Sequence, residues 1–347
     1  MARTRSWITL GAVYVVALSA AAASFPTLPG LPGFPGAAAP VAKLENLKAD
    51  PNSTTTSGVS SGAYMAMQLT VSLSSSFKGA GVVAGGPWHC AEGSSQTAQT
   101  KCMKDAAAID VKALAKATRD AASRGQIEDP RNLQTARFYI YGSQKDTVVK
   151  PPAAERTREY LESFIAKAQI KVETSIPSGH GWATENFGNV CGQMGLPWLN
   201  SCGYDTAGNI LGHLYGPLKA KAPAVATSLK TFDQSEFDKS GKATLAASGF
   251  VYVPHACTTG TSCRVHVALH GCQMSSEFVQ DKFAVNSGLN EWAEANAIVV
   301  LYPQAKVSGG NPFSCWDWFG YTGADYDTAT GPQIVAIKAM VDRLIEP

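Results

Sequence analysis

The sequence predicts an α/β fold with a mostly parallel central sheet and helices on both faces. Three observations lead there. Short apolar runs that stop at turn residues alternate with longer segments of helical pattern. With 45% hydrophobic and 16% charged residues, the chain can bury a large core and is not a disordered protein. Its only G-x-S-x-G falls between a strand pattern and a helix pattern, where sheets of this kind carry their chemistry.

Taken in order, strand patterns are read at Thr54 to Thr56, Gly81 to Ala84, Ala136 to Tyr141, Ile170 to Ile176, Arg264 to Leu269 and Ala297 to Tyr302. Helical patterns lie between them at Tyr64 to Leu73, Ala153 to Ala168, Gly288 to Ala295 and Gln333 to Ile345. This alternation is the signature of parallel strands joined by crossover helices. No internal repeat is visible.

The first residues read as a signal peptide, 1–23. Arg3 and Arg5 supply the positive start, Ile8 to Leu18 the apolar run, and Ala21 to Ala23 a small-residue cleavage site. The apolar run is short for a membrane anchor, which needs about 20 residues. Residues 24–42 are Pro/Gly-rich and read as an extended linker, although an apolar tail that touches a surface is a second reading. A single domain, 43–347, follows. The formal net charge of +2 comes with no basic stripe, which argues against nucleic acid as a partner and for a neutral or apolar substrate.

Eight cysteines in an exported chain suggest disulfides, and the absence of any C-x-x-C argues against a zinc ribbon or a thioredoxin-like site. Sequence neighbours suggest Cys90 with Cys102, Cys191 with Cys202 and Cys257 with Cys263, leaving Cys272 with Cys315.

Gly58-Val59-Ser60-Ser61-Gly62 has the form of a strand-to-helix turn that presents a nucleophilic serine. Glycines flank the serine because a sharp turn leaves no room for side chains. The helix N-terminus beside it favours an oxyanion. A serine hydroxyl needs a base that titrates near neutrality, hence a histidine. Of six histidines, His180 sits in a Gly-flanked loop just after the strand pattern that ends at Ile176. His89 adjoins a cysteine, His213 fits a packed helix, and His266 with His270 suggests a metal pair but lacks an acid to complete a ligand set. Asp146 follows the strand that ends at Tyr141 and is the expected acid; Asp205 and Asp281 are its rivals.

The order Ser60, Asp146, His180 is that of α/β-hydrolases. Their second oxyanion donor comes from a loop that here matches His270-Gly271-Cys272-Gln273, placed after the triad instead of before it. A circular permutation explains this, with the usual first half moved to the C-terminus.

Six separated motifs, GVSSGAYM, YGSQKDTVV, SGHGW, CGYDTAGNIL, LHGCQ and CWDWFG, together resemble the single-domain and type 2 poly(3-hydroxybutyrate) depolymerases. The resemblance runs from about Leu44 to Ile345. It implies a circularly permuted α/β-hydrolase that cleaves short-chain polyhydroxyalkanoates. Ser60, Asp146 and His180 would be its triad, Ser61 and Cys272 its oxyanion hole, and Trp316 and Trp318 its crevice wall. It further implies a secreted enzyme without metal or cofactor, expected as a monomer, with a polyester partner and no membrane after signal cleavage. Soluble oligomers, feruloyl esters or other polyesters are the alternative substrates. Adsorption to solid polymer would fall to apolar groups of the domain; Trp88, Trp198 and Phe313 are candidates, although such aromatics are more often core.

Overall fold

Eleven strands are found among the described residues, which in this computed structural model are 41–346. The expected leader and residues 24–40 of the expected linker lie outside them. Ala42 already belongs to the fold, because its carbonyl accepts the Asp233 N–H at 2.8 Å.

The strands are β1 Thr55–Val59, β2 Gly79–Val83, β3 Arg137–Tyr141, β4 Ile170–Glu173, β5 Trp182–Thr184, β6 Asn189–Val190, β7 Leu199–Ser201, β8 Leu229–Asp233, β9 Ser248–Tyr252, β10 Arg264–Leu269 and β11 Ile298–Tyr302. Eight form the main sheet in the order β4-β3-β2-β1-β10-β11-β9-β8, and β5-β7-β6 form a second, small sheet. In the main sheet β9 alone runs antiparallel to its neighbours. Counted from β8 and carried from the C-terminus into β1, the spatial order is 1-2-4-3-5-6-7-8. The second half of the chain therefore builds the half of the sheet that an unpermuted hydrolase builds first. The permutation is geometrically cheap because the ends of the domain adjoin: Leu47 and Ala49 donate to the Leu344 carbonyl at 3.3 and 3.0 Å.

β1, β2 and β11 are buried at every position, as parallel strands covered on both faces must be. Helix Ser61–Ser72 is buried throughout, and its polar Gln68, Thr70 and Ser72 each bond to a carbonyl at 2.9, 2.9 and 2.5 Å. On one face of the main sheet this helix packs with helix Pro332–Ile345 in a core that includes Leu69, Val267 and Ile337; on the sheet's other face, helices Thr206–Tyr215 and Leu289–Asn296 close over Tyr139, Ile210 and Val300.

All four expected cysteine pairs are disulfides. Most expected elements match within a few residues; the helix expected to Ala168 ends at Leu161, and the strand expected to Ile176 ends at Glu173. Among the elements not expected were the small sheet of β5, β6 and β7, strands β8 and β9, and helices Val111–Ser123 and Thr206–Tyr215.

The loop carrying the first disulfide is tied to the C-terminal half by His89, whose Nδ1 lies 2.6 Å from Asp327 Oδ2. The neighbouring Trp88 indole donates to the Asp327 carbonyl at 2.8 Å. Burial lowers the His89 pKa, but the hydrogen bond and charge of Asp327, with Glu92 beyond, outweigh burial and Arg124 and leave it raised. The folded state thus holds this proton more tightly than the unfolded chain. The resulting stability is present in full below the ordinary histidine value and is lost as pH rises through the raised folded value. His89→Gln should therefore lower the melting temperature more at about pH 5.5 than at about pH 9. Thermal melts at both pH values check this, and an equal loss would remove the ion pair from the account.

Candidate active site

Ser60 occupies the single-residue turn between β1 and the helix that starts at Ser61. Its backbone is left-handed, φ 57° and ψ −122°. For a residue with a Cβ such a conformation costs about 1 to 3 kcal/mol, and the surroundings must enforce it. They do so through two glycines. A Cβ on Gly58 would lie 2.3 Å from the Gly62 carbonyl, and one on Gly62 would lie 2.3 Å from the Leu269 carbonyl oxygen and 2.4 Å from that of His270. Strand, helix and the end of β10 thus meet at a point where no side chain fits. The Ser60 N–H donates to the Val83 carbonyl at 2.9 Å, which ties the turn to β2.

His180 and Asp146 come from the neighbouring strand ends. Asp146 lies in the loop after β3, is 2% exposed, and accepts the Val148 and Val149 N–H groups on Oδ1 at 2.8 and 2.9 Å. Its other oxygen lies 2.7 Å from His180 Nδ1. An ionised carboxylate held this way fixes the ring with Nδ1–H toward the aspartate and leaves Nε2 free to accept a proton. His180 and Ser60 line one cavity of about 240 Å³. Among the described residues no hydrogen bond joins their side chains; such contacts often tighten only when substrate is bound.

The loop after β10 forms another wall. A Cβ on Gly271 would lie 3.3 Å from the Ser60 Cβ and 3.1 Å from the Val59 carbonyl, so a side chain there would be crowded and glycine eases the approach. The approach brings Cys272 into the cavity wall with Ser60. The Cys272–Cys315 bridge ties this loop to Trp316, whose N–H donates to Ser61 Oγ at 3.2 Å. Ser61 is the first residue of its helix, so its N–H has no intrahelical acceptor. The Cys272 N–H donates to no acceptor among the described residues.

No protein-family model matches the sequence. Individual relatives do. A poly(3-hydroxybutyrate) depolymerase of Delftia acidovorans is 43% identical over 307 residues, which are 87% of this chain and 61% of the relative. A polyhydroxybutyrate depolymerase of Talaromyces funiculosus is 34% identical over 313 residues, 85% of this chain and 90% of the relative. The chain belongs to the polyhydroxybutyrate depolymerase family. The crystal structure of the depolymerase from Penicillium funiculosum superimposes with a TM-score of 0.81 at 32% identity, covering 87% of this chain and 98% of that one. A PHB depolymerase with a serine-to-alanine change, complexed with R3HB trimer, gives the same TM-score at 33% identity. The fold is therefore that of the depolymerases, while the chain spans only about three fifths of the bacterial relative.

Within this family framework the two expected crevice tryptophans part company. Trp318 lines the cavity and stacks on Tyr64, with ring centroids 4.2 Å apart. Trp316 is fully buried behind the wall, its ring 5.3 Å from that of His270, because the disulfide draws its segment inward. Trp88, one of the three adsorption candidates, is buried, the commoner role for such an aromatic. Trp198 and Phe313 do line the cavity.

Wall residues not read from the sequence include Tyr64, Met103, Val148 and Met274. Tyr64 carried a usable signal, since it stands one helical turn beyond Ser60. Burial, helped by the Asp146 charge, raises its pKa, so its hydroxyl remains neutral and donates to the Cys102 carbonyl at 3.3 Å.

His266, His270 and His213 are held by partners of their own. His266 is buried between Thr55 and Ser57 at 2.8 Å each, and burial pulls its pKa down to about 3. His270 donates from Nδ1 to the Gly271 carbonyl and accepts the Ala305 N–H on Nε2; burial, only partly opposed by that carbonyl, lowers its pKa to about 4. Neither has a nitrogen left for a metal. His213 meets the Gln169 carbonyl at 3.0 Å. Asp205, the leading rival acid, caps helix Thr206–Tyr215 and accepts the Trp292 indole N–H at 2.9 Å.

Because the obstructing atoms are backbone, Gly62→Ala has no flexible neighbour to displace. It should destabilise the fold by about 3 kcal/mol or more and lower esterase activity even in the protein that remains folded. Urea unfolding with activity measured per folded molecule checks both; a fully active, equally stable variant would contradict the packing described.

Proposed function

We propose that this chain is a secreted serine esterase that hydrolyses ester bonds of poly(3-hydroxybutyrate) or related short-chain polyhydroxyalkanoates through an acyl-enzyme on Ser60. The observation that carries the reading is one cavity in which a strained serine at a helix N-terminus shares the wall with a histidine already bonded to a buried aspartate. Family membership and the solved relative carrying an R3HB trimer point the same way. The cavity is otherwise mainly apolar, with Val59, Val149, Phe313 and Trp318 among its walls, which suits a polyester segment of methyl groups and ester carbonyls. Trp318 is the proposed aromatic contact; Trp316 supports the wall from behind.

His180 takes the Ser60 proton as the hydroxyl attacks the ester carbonyl. The N–H groups of Ser61 and Cys272 receive the developing oxyanion, each such donor contributing about 3 to 4 kcal/mol in the transition state. His180 then protonates the departing hydroxyl end of the chain. A water activated by the same imidazole attacks the acyl-enzyme and releases a 3-hydroxyacyl acid. Asp146 holds the tautomer and stabilises the imidazolium at each stage. None of these steps calls on a metal or cofactor. The four disulfides support an extracellular, oxidising location, and we place the enzyme there as a monomer.

The test is clearing of a poly(3-hydroxybutyrate) suspension by the mature protein, with the released acids identified. Ser60→Ala should lose activity by on the order of 10,000-fold or more while melting as the wild type does. Clearing by wild type alone is the expected result. Rapid hydrolysis of soluble short esters without clearing would keep the triad and move the substrate to oligomers or other esters. Asp146→Asn should lower kcat by on the order of 1,000-fold or more, because the imidazole then adopts the wrong tautomer; unchanged turnover would remove Asp146 from the triad.

A further inference from the structure

His180 stands on an irregular loop between β4 and β5, yet proton transfer tolerates little error in where its ring sits. The loop takes its shape from outside contacts. At its start, the Ser178 hydroxyl meets the Tyr141 phenol at 2.8 Å, and the Ser178 carbonyl accepts Ser143 Oγ at 2.5 Å. The Gly179 N–H donates to the Cys191 carbonyl at 2.7 Å. At its end, the Trp182 N–H donates to the Trp198 carbonyl at 2.9 Å.

Between these anchors lie the carbonyls of Gly179 and of His180 itself. Both are met by one side chain, Asn200, whose Nδ2 donates at 3.1 Å to the first and more weakly, at 3.4 Å, to the second. Asn200 is fully buried in β7, the middle strand of the small sheet, flanked by β5 and β6 and clamped by Cys191–Cys202. The fit is close on both sides. Gly181, at φ 144°, would place a Cβ 2.4 Å from the Trp198 carbonyl and 3.1 Å from Asn200 Nδ2. Asn200 Oδ1, by contrast, is buried with no hydrogen-bond partner. Removing the side chain would leave both carbonyls without this donor.

We infer that Asn200 is a positioning residue for catalysis: through the Gly179 and His180 carbonyls it holds the loop so that the imidazole faces Ser60. Asp146 fixes the ring from its other nitrogen, and Asn200 fixes the backbone that carries it. The inference rests on His180 being the base for Ser60.

Asn200→Leu fills the same space without a donor, and Asn200→Ala is the second variant should leucine not be accommodated. Each leaves the two carbonyls without this donor and should lower the melting temperature, and per folded molecule it should also lower kcat on a soluble ester by about 10- to 100-fold with KM within about twofold. The distinguishing readout is inactivation by diethyl p-nitrophenyl phosphate. In that reaction the Ser60 oxygen bonds to phosphorus, p-nitrophenolate leaves, and the hydroxyl proton passes to His180, with no polymer to bind. Its rate should fall by the same factor as kcat. Wild-type kcat in both variants, a kcat loss with unchanged inactivation, or a loss that disappears when rates are divided by the folded fraction would each overturn the inference. A wild-type protein that the reagent does not label at Ser60 would instead overturn the catalytic reading on which it rests.

Discussion

Everything at the catalytic edge depends on a close approach of backbone to backbone. Gly58 and Gly62 let β1, the following helix and the last carbonyls of β10 occupy a space in which no Cβ fits. That contact forces Ser60 into a left-handed conformation, and the conformation turns its hydroxyl away from the sheet to the head of a buried helix. It also brings the loop after β10 alongside the serine, where Gly271 allows the approach and the Cys272–Cys315 bridge holds it. The proposed nucleophile and the proposed oxyanion donors are thus consequences of one packing event. Strain at Ser60 is borne by a core that buries the whole of helix Ser61–Ser72.

Around this point the molecule sorts its ionisable groups by environment. Asp146 and His180 are buried together, each satisfying the other, and Asp146 is further held by two backbone N–H groups. His266 and His270 are kept neutral by burial and bonded at both nitrogens. His89 goes the other way, because a partly exposed imidazole beside Asp327 gains more from the neighbouring charge than it loses to burial. The imidazoles share one chemistry, and their partners decide what each contributes.

Much of the fold was legible in the sequence because central parallel strands are short, uninterrupted apolar runs. Β-strands 10 and 11, Arg264–Leu269 and Ile298–Tyr302, are of this kind and were read almost to the residue. The two strands at one side of the main sheet carry weaker patterns: β8, Leu229–Asp233, is largely polar and partly exposed, and β9 opens with Ser248 and Gly249. Helix Thr206–Tyr215 hides behind Gly208 and Gly212, which lower helical propensity; Gly208 is there because a Cβ would meet the Trp292 ring at 2.6 Å. Of the site, Ser60, Asp146 and His180 stood out because each sits in a distinctive local pattern. Trp316 and Trp318 share one motif, and no local rule says which of two alternate residues a disulfide will draw into the core.

By itself the sequence determined what covalent order and local sterics determine. These are an alternating α/β chain, a glycine-framed serine turn, a permuted order of segments, and four disulfides between cysteines that are mostly near neighbours. Only the tertiary structure decided which side chains face the cavity and which residues hold the machinery in place. Tyr64, Met103 and Trp198 reach one wall from three separate stretches of chain, and Asn200 supports the His180 loop from a different sheet. Such roles arise from contacts between segments far apart in the chain, whose geometry no local pattern of residues encodes.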